Sequence, residues 1–216
     1  MSQKLSLVTG ASRGFGGAMA EALAARGDHV IALARTVGAL EELDDRIQAA
    51  GGKATLVPLD ILDTEGLKRL CLSIYDRWGG LDLWLHTAIF AGPLAPADHL
   101  PQKDWDKALA TNISATKTLI EMIAPLLRPR KGTALLPLED DLTGQKFHAA
   151  HAASKAAQNA LWQAFAAEQK NAGLAIKTIT PAPMPTALRA RFYPGENRSG
   201  LADPRDQAKA ILSNLG

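Results

Sequence analysis

Short apolar runs alternate along the chain with longer stretches whose apolar residues recur at helical spacing. Leu5–Thr9, His29–Leu33, Thr55–Leu59, Leu81–Leu85, Thr133–Leu136 and Ala175–Ile179 are largely apolar and β-branched, which predicts six strands. Continuous apolar runs, rather than strict alternation, suit a parallel sheet covered on both faces. Ala18–Arg26, Val37–Ala50, a stretch ending near Trp78, Gln102–Leu127 and Ala149–Gln169 read as the intervening helices. Leu40, Leu43 and Ile47 share one face of the second helix. Gly27 and Gly51-Gly52 fall where helices stop, and Pro125 sits near the end of the long fourth stretch. Asp203–Leu215 predicts a last helix, with Asp203 as N-cap and Pro204 at the first helical position.

Six strands alternating with helices imply parallel pairing through right-handed crossovers. A barrel needs eight such units and a longer chain. The expected fold is therefore α/β: a Rossmann-type, doubly wound parallel sheet of strand order 3-2-1-4-5-6 in three α/β/α layers. No linker, repeat or low-complexity tract divides it, so residues 1–216 read as a single dinucleotide-binding domain. No seventh strand follows the last helix, which makes the C-terminus short for this fold.

Composition narrows the classes. Hydrophobic residues are 47% and charged residues 21%, which excludes disorder. The net charge is +2 and the basic residues are scattered, so no nucleic-acid partner is expected. Met1-Ser-Gln-Lys-Leu5 leads at once into a strand, and no apolar run is long enough for a membrane span. A cytoplasmic protein is the expectation. The single cysteine, Cys71, lies on an amphipathic stretch with Leu67, Leu70 and Ile74 and reads as a small core residue.

The candidate chemistry begins after the first strand. Thr9-Gly10-Ala11-Ser12-Arg13-Gly14-Phe15-Gly16-Gly17 places glycines between a strand and a helix. Gly10 allows the tight turn, Gly14 lets the backbone approach a pyrophosphate, and Gly16 lets helix pack closely on sheet. The helix N-terminus then offers unpaired N–H groups to the phosphates. An NAD site usually has Asp or Glu after the second strand, but here that strand runs into Ala34-Arg35-Thr36. Arg35 and Arg13 suit a 2′-phosphate, so NADP(H) is expected over NAD(H).

With these motifs the chain resembles the short-chain dehydrogenase/reductase family along nearly its whole length. Thr9–Gly16 looks like that family's TGxxxGxG, and Leu59-Asp60-Ile61 is similar to its acidic segment after the third strand, which contacts adenine. Asn112 falls on the family's structural and catalytic Asn, and Lys155, in His151-Ala-Ala-Ser-Lys155, falls on the Lys of its YxxxK. The resemblance implies a cofactor site built from Gly10, Ser12, Arg13, Gly14, Phe15, Gly16, Arg35, Asp60, Ile61, Ala88, Lys155, Pro181, Met184 and Thr186. It also implies a homodimer paired through the two long helices, and a small-molecule substrate.

The departures fall where the family does its chemistry. His151 stands in place of the YxxxK tyrosine. The catalytic serine has no counterpart: Leu136-Pro-Leu-Glu-Asp-Asp141 occupies its region, with no serine between Ser114 and Ser154. His86-Thr87-Ala88-Ile89 replaces NNAG, and Pro181-Ala182 replaces Pro-Gly. The expected catalytic set is thus Lys155, Asn112 and His151, an imidazole being a general acid–base group near neutral pH. Glu139, Asp140 and Asp141 are carboxylates that could act on it. No metal is expected, because His148 and His151 lack a third ligand unless Asp140 or Asp141 supplies one. The expected function is a hydride-transferring oxidoreductase with altered or weakened proton transfer. The alternative is an inactive nucleotide-binding pseudo-enzyme serving as a partner subunit.

Overall fold

A computed structural model describes residues 3–139 and 142–215. Asp140 and Asp141 lie outside the described residues. Six strands form one sheet: β1 (Leu5–Thr9), β2 (His29–Ala34), β3 (Lys53–Pro58), β4 (Leu83–His86), β5 (Thr133–Pro137) and β6 (Ala175–Ile179). All pairings are parallel and the order is β3-β2-β1-β4-β5-β6, as the alternation of elements predicts.

Side chains alternate faces along each strand, and that period splits the core in two. Val8, Val30, Ala32, Leu85 and Leu135 pack against α1 (Gly14–Ala25), α2 (Val37–Ala49) and a C-terminal helix, Pro204–Ser213. Leu7, Ile31, Leu33, Trp84 and Leu136 pack against α3 (Thr64–Trp78) and the helices on the other face. The half-buried Cys71 joins this second cluster, and burial pushes its thiol up to about 11, far from reactive.

Three boundaries differ from the pattern in ways that matter for the site. The first helix begins at Gly14 rather than Ala18, so the glycines are its first turn. The stretch expected as one helix over Gln102–Leu127 is interrupted. α4 (Gln102–Ala108) and α5 (Ala115–Leu127) are separated by a widened π turn over Leu109–Ser114 that carries Asn112. Between β6 and the last helix, where the pattern gives no element, α7 (Ala187–Phe192) forms, its N-cap Thr186 accepting from the Arg189 N–H. α6 (Ala149–Gln169) and α8 (Pro204–Ser213) follow the pattern, and Asp203 caps α8 by accepting from the Arg205 N–H at 2.7 Å.

Candidate active site

The carboxyl ends of β1, β4 and β5 converge where the sheet order reverses, the place where doubly wound folds bind ligands. Gly10 takes φ +91° and Gly14 takes φ +57°, the left-handed region that favours glycine. A Cβ on Gly10 would lie 2.6 Å from the Ala88 nitrogen and 2.7 Å from the Thr87 hydroxyl. The turn is thus packed directly on the segment after β4. Thr87 fastens it, its hydroxyl lying 2.9 Å from the Thr9 carbonyl oxygen and 3.2 Å from that of Gly10. No acidic residue occupies the first turn of α1, and no side chain caps it. Its leading N–H groups are left for an anion.

Thr186 lies against Gly14, at 3.5 Å from where a Cβ would stand, so the Pro181–Thr186 segment borders the glycine turn. Met184 is half-buried against the α1-side core. Ile61 is buried in the opposite core, leaving only its backbone for a ligand. Asp60 accepts from the Leu62 N–H at 3.0 Å and pairs with Arg35 at 3.6 Å, both side chains being exposed. The two expected adenosine-end residues therefore face each other across the ends of β2 and β3. The cradle fits a dinucleotide phosphate on steric and electrostatic grounds alone.

The other half of the site is built by β5 and α6. His151 is buried in the first turn of α6, and its Nε2 lies 3.1 and 3.3 Å from the two carboxylate oxygens of Glu139, just past β5. The imidazole and the carboxylate thus bond to each other. Burial alone would raise the Glu139 pKa. The His151 hydrogen bond and the nearby His151, Lys155 and His148 charges outweigh it and hold the carboxyl below its ordinary value. Glu139 is then an ionised acceptor, and the Nε2–H of His151 donates to it.

Asn112 is buried and braced rather than exposed to the cleft. Its side chain accepts from the Phe90 N–H at 2.7 Å and donates to the Phe90 carbonyl and the Ser154 hydroxyl at 2.9 Å each. The widened turn brings the amide to those partners, which explains the interruption between α4 and α5.

Lys155 donates to Gln158 Oε1 at 2.6 Å and to the Pro137 carbonyl at 3.3 Å. Burial lowers its pKa to about 8, against the opposing pull of Glu139. Gln158 continues inward and donates to the Thr116 hydroxyl at 2.8 Å. Thr116 gives its one proton to the Asn112 carbonyl, so it accepts from His86 Nε2 at 2.9 Å. His86 Nδ1 then accepts from the Thr9 hydroxyl at 2.8 Å. Burial, with the Lys155 charge added, lowers His86 to about 3, so the ring is neutral. An enclosed polar chain thereby links Lys155 to the start of the glycine turn.

Sequence reasoning missed this chain. Its signal was present: His86 closes an otherwise apolar strand, and Ser154 and Gln158 interrupt the core-facing stripe of α6. It also missed Phe192, whose ring meets His148 and His151 edge-on at 5.0 and 4.9 Å. Tyr193 lies beside His148 at 6.4 Å, while Tyr75 is exposed on α3. Phe147, directly before His148, holds φ +70°, an uncommon conformation for a bulky residue. Its carbonyl accepts from the Ala95 N–H at 3.1 Å, fixing the entry to α6 against the segment after β4. Among the described residues no group of three or more His, Cys, Asp or Glu could hold a metal ion.

Known proteins resemble this chain in sequence and fold. A Pseudomonas syringae structure assigned to the short chain dehydrogenases is 31% identical, with a TM-score of 0.90 over 99% of this chain and 89% of that one. A Shigella flexneri 2a short chain dehydrogenase complexed with NADP is 29% identical, with a TM-score of 0.93 over 100% of this chain and 92% of that one. The D-threitol dehydrogenase of Mycolicibacterium smegmatis is 27% identical over 200 residues, which are 92% of this chain and 76% of that protein. The short chain dehydrogenase family profile matches residues 4–197. With that match over most of its length, on a Rossmann-type sheet, the chain belongs to the short chain dehydrogenase family of oxidoreductases.

Proposed function

We propose that the protein binds NADP(H) and interconverts a carbonyl and an alcohol, with His151 in the tyrosine's place as the proton-transfer group. The observation that carries this reading is the glycine turn. Gly10 and Gly14 hold left-handed backbone against the segment after β4, in front of an uncapped helix N-terminus. Ser12, Arg13, Phe15 and Gly16 complete the turn around the pyrophosphate, and Ala88, Pro181, Met184 and Thr186 border it. Arg35 ends β2 where an acid would select NAD, and its partner Asp60 is exposed enough to yield it to a 2′-phosphate. The NADP-bound Shigella relative supports the same preference.

When bound, the nicotinamide supplies or accepts the hydride. This chain's residues do the rest. Lys155 has three protons, and two go to Gln158 and Pro137, which leaves one for a ribose hydroxyl. Asn112 braces the segment after β4 against α6. Residues 1–216 act as one domain, pair as a homodimer through α5 and α6, and work in the cytoplasm on a small-molecule substrate.

Calorimetry with NADPH and NADH tests the cofactor claim. NADPH is expected to bind about 10–100-fold tighter, and Arg35→Ala to remove most of that preference while leaving NADH affinity unchanged. Equal affinity for both, or no binding of either, would sink it. One observation bears on a second reading, a nucleotide-binding partner subunit without turnover: His151 Nε2 is already engaged by Glu139. A carbonyl screen with His151→Tyr separates the two, since turnover by the wild-type chain excludes the second.

A further inference from the structure

The core-facing stripe of α6 runs through His151, Ser154, Gln158, Trp162 and Phe165. Gln158 is 0% exposed on it, at a place where an apolar side chain would ordinarily fill the space. A buried primary amide is costly unless both of its ends are hydrogen-bonded. Here its Oε1 accepts from the Lys155 ammonium at 2.6 Å, and its Nε2 donates to the Thr116 hydroxyl oxygen at 2.8 Å.

These partners allow the amide one orientation. An ammonium donates and never accepts, so it needs Oε1. Thr116 spends its proton on the Asn112 carbonyl, so its oxygen takes donors, and it has two, Gln158 Nε2 and His86 Nε2. Those nitrogens stand 3.4 Å apart because they share that oxygen. Turned over, the amide would set its NH2 against the ammonium and its oxygen against the Thr116 lone pairs. The anchorage behind Thr116 is fixed in turn. His86 bonds Thr9, the last residue of β1 before the glycine turn, and Asn112 is held by Phe90 and Ser154. Gln158 thus ties the lysine to side chains of β1, β4 and α5. The Pro137 carbonyl takes a second Lys155 proton at 3.3 Å. A lysine already held at two of its protons has less rotamer freedom left to lose when a ligand takes the third.

We propose that Gln158 is a positioning residue, which clasps the Lys155 ammonium so that its remaining N–H meets the nicotinamide ribose of the bound cofactor, with Thr116 and His86 as its anchor. The proposal rests on the NADP(H) reading and deepens it. Lys155 stands in the β5–α6 half of the cleft, whereas Arg35 and Asp60 mark the adenosine end beyond β2 and β3, so the ribose within its reach is the nicotinamide one. A neutral acceptor suits the task, because it holds the ammonium without cancelling its charge. Glu139 is the anion that acts on Lys155, and His86, buried and neutral, is the other titratable group coupled to it. Burial lowers the Lys155 pKa to about 8, and an acceptor at hydrogen-bond distance favours the charged form against that pull.

Two ligands test this in the full chain: NADP, and 2′,5′-ADP, which has the phosphorylated adenosine but no nicotinamide ribose. Gln158→Met keeps the length of the side chain and removes both polar ends. By calorimetry it should weaken NADP about tenfold, the effect of one hydrogen bond, and leave 2′,5′-ADP within about twofold. Gln158→Glu keeps an acceptor for the ammonium and should recover most of that loss. The titration of Lys155 is read by ¹³C spectroscopy at the lysine Cε, with Lys155→Met to assign the signal. Gln158→Met should lower its midpoint and Gln158→Glu should raise it. An equal loss of both ligands would mark a packing defect and overturn the proposal. An unchanged NADP affinity in Gln158→Met, or a Lys155 midpoint that neither variant moves, would do the same. Should Gln158→Met fail to fold, the midpoint in Gln158→Glu decides alone. If the wild-type chain binds neither ligand, the cofactor reading falls, and the midpoints by themselves judge whether Gln158 holds Lys155.

Discussion

The two halves of the cleft are built from different material. The glycine turn uses backbone: Gly10 at φ +91°, Gly14 at φ +57° and the leading N–H groups of α1. The β5–α6 half uses side chains: Glu139, His151, Lys155 and the polar chain behind them. The turn rests on the local conformation of single residues, whereas the other half rests on two side chains twelve residues apart that bond to each other. Backbone donors depend on space and dihedral angle, which few residues besides glycine satisfy, so such a site resists exchange. Side-chain chemistry depends on mutual partners, and a pair can be exchanged together while the fold stays the same.

The largest expected effect sharpens this contrast. Gly10→Ala would set a Cβ 2.6 Å from the Ala88 nitrogen in a left-handed backbone. It should cost on the order of 2–4 kcal/mol of stability and about 100-fold or more in NADPH affinity. His151→Ala should leave NADPH affinity within about threefold. Calorimetry and urea unfolding of both variants read the difference, and a reversal of the two effects would break the comparison.

Next in size is an acid response from the buried chain. An unfolded His86 takes a proton near 6.5, whereas burial delays this to about 3 in the folded protein. The unfolded state therefore binds more protons in that window, and stability falls as pH drops through it, by on the order of 1.4 kcal/mol per unit. Urea unfolding at intervals from pH 7 to 4 should show that slope, and His86→Asn should flatten it. An unchanged slope in the variant would remove His86 from the account.

The fold was legible because its signals are repetitive. Apolar strands, helical stripes and the glycine turn each imply the same sheet, and errors such as Thr55–Leu59 for Lys53–Pro58 shift a boundary without altering topology. The left-handed glycine turn was legible for the same reason: it needs local conformation only. The Glu139–His151 pair was not, because twelve residues separate partners that only the β5–α6 crossover brings together. The bond from Asn112 to Phe90 crosses from the widened turn to the segment after β4, and no helical period announces it. The capped helix α7 was hidden in a run of arginines whose ion pairs become visible only in three dimensions.

The smallest effect probes the Lys155 environment, and its sign depends on a second residue. Burial lowers Lys155 from 10.5 to about 8, so above pH 8 the folded protein sheds a proton the unfolded chain retains. Stability should then rise, by about 1 kcal/mol between pH 8 and 9. Above 9 the rise should stall. Cys71 ionises near 9 when unfolded but only near 11 when buried, and this favours the unfolded state as pH climbs. Cys71→Ala should therefore let the rise continue toward pH 10, and Lys155→Met should abolish it in either background. Lys155→Met also leaves Gln158 Oε1 without its donor, so the slope, not the absolute stability, is the quantity to read. A flat profile from pH 8 to 9 in the wild-type chain would mean that Lys155 keeps its charge there, through solvent or through Glu139. The side-chain half of the cleft would then be wetter than the enclosed chain behind it implies.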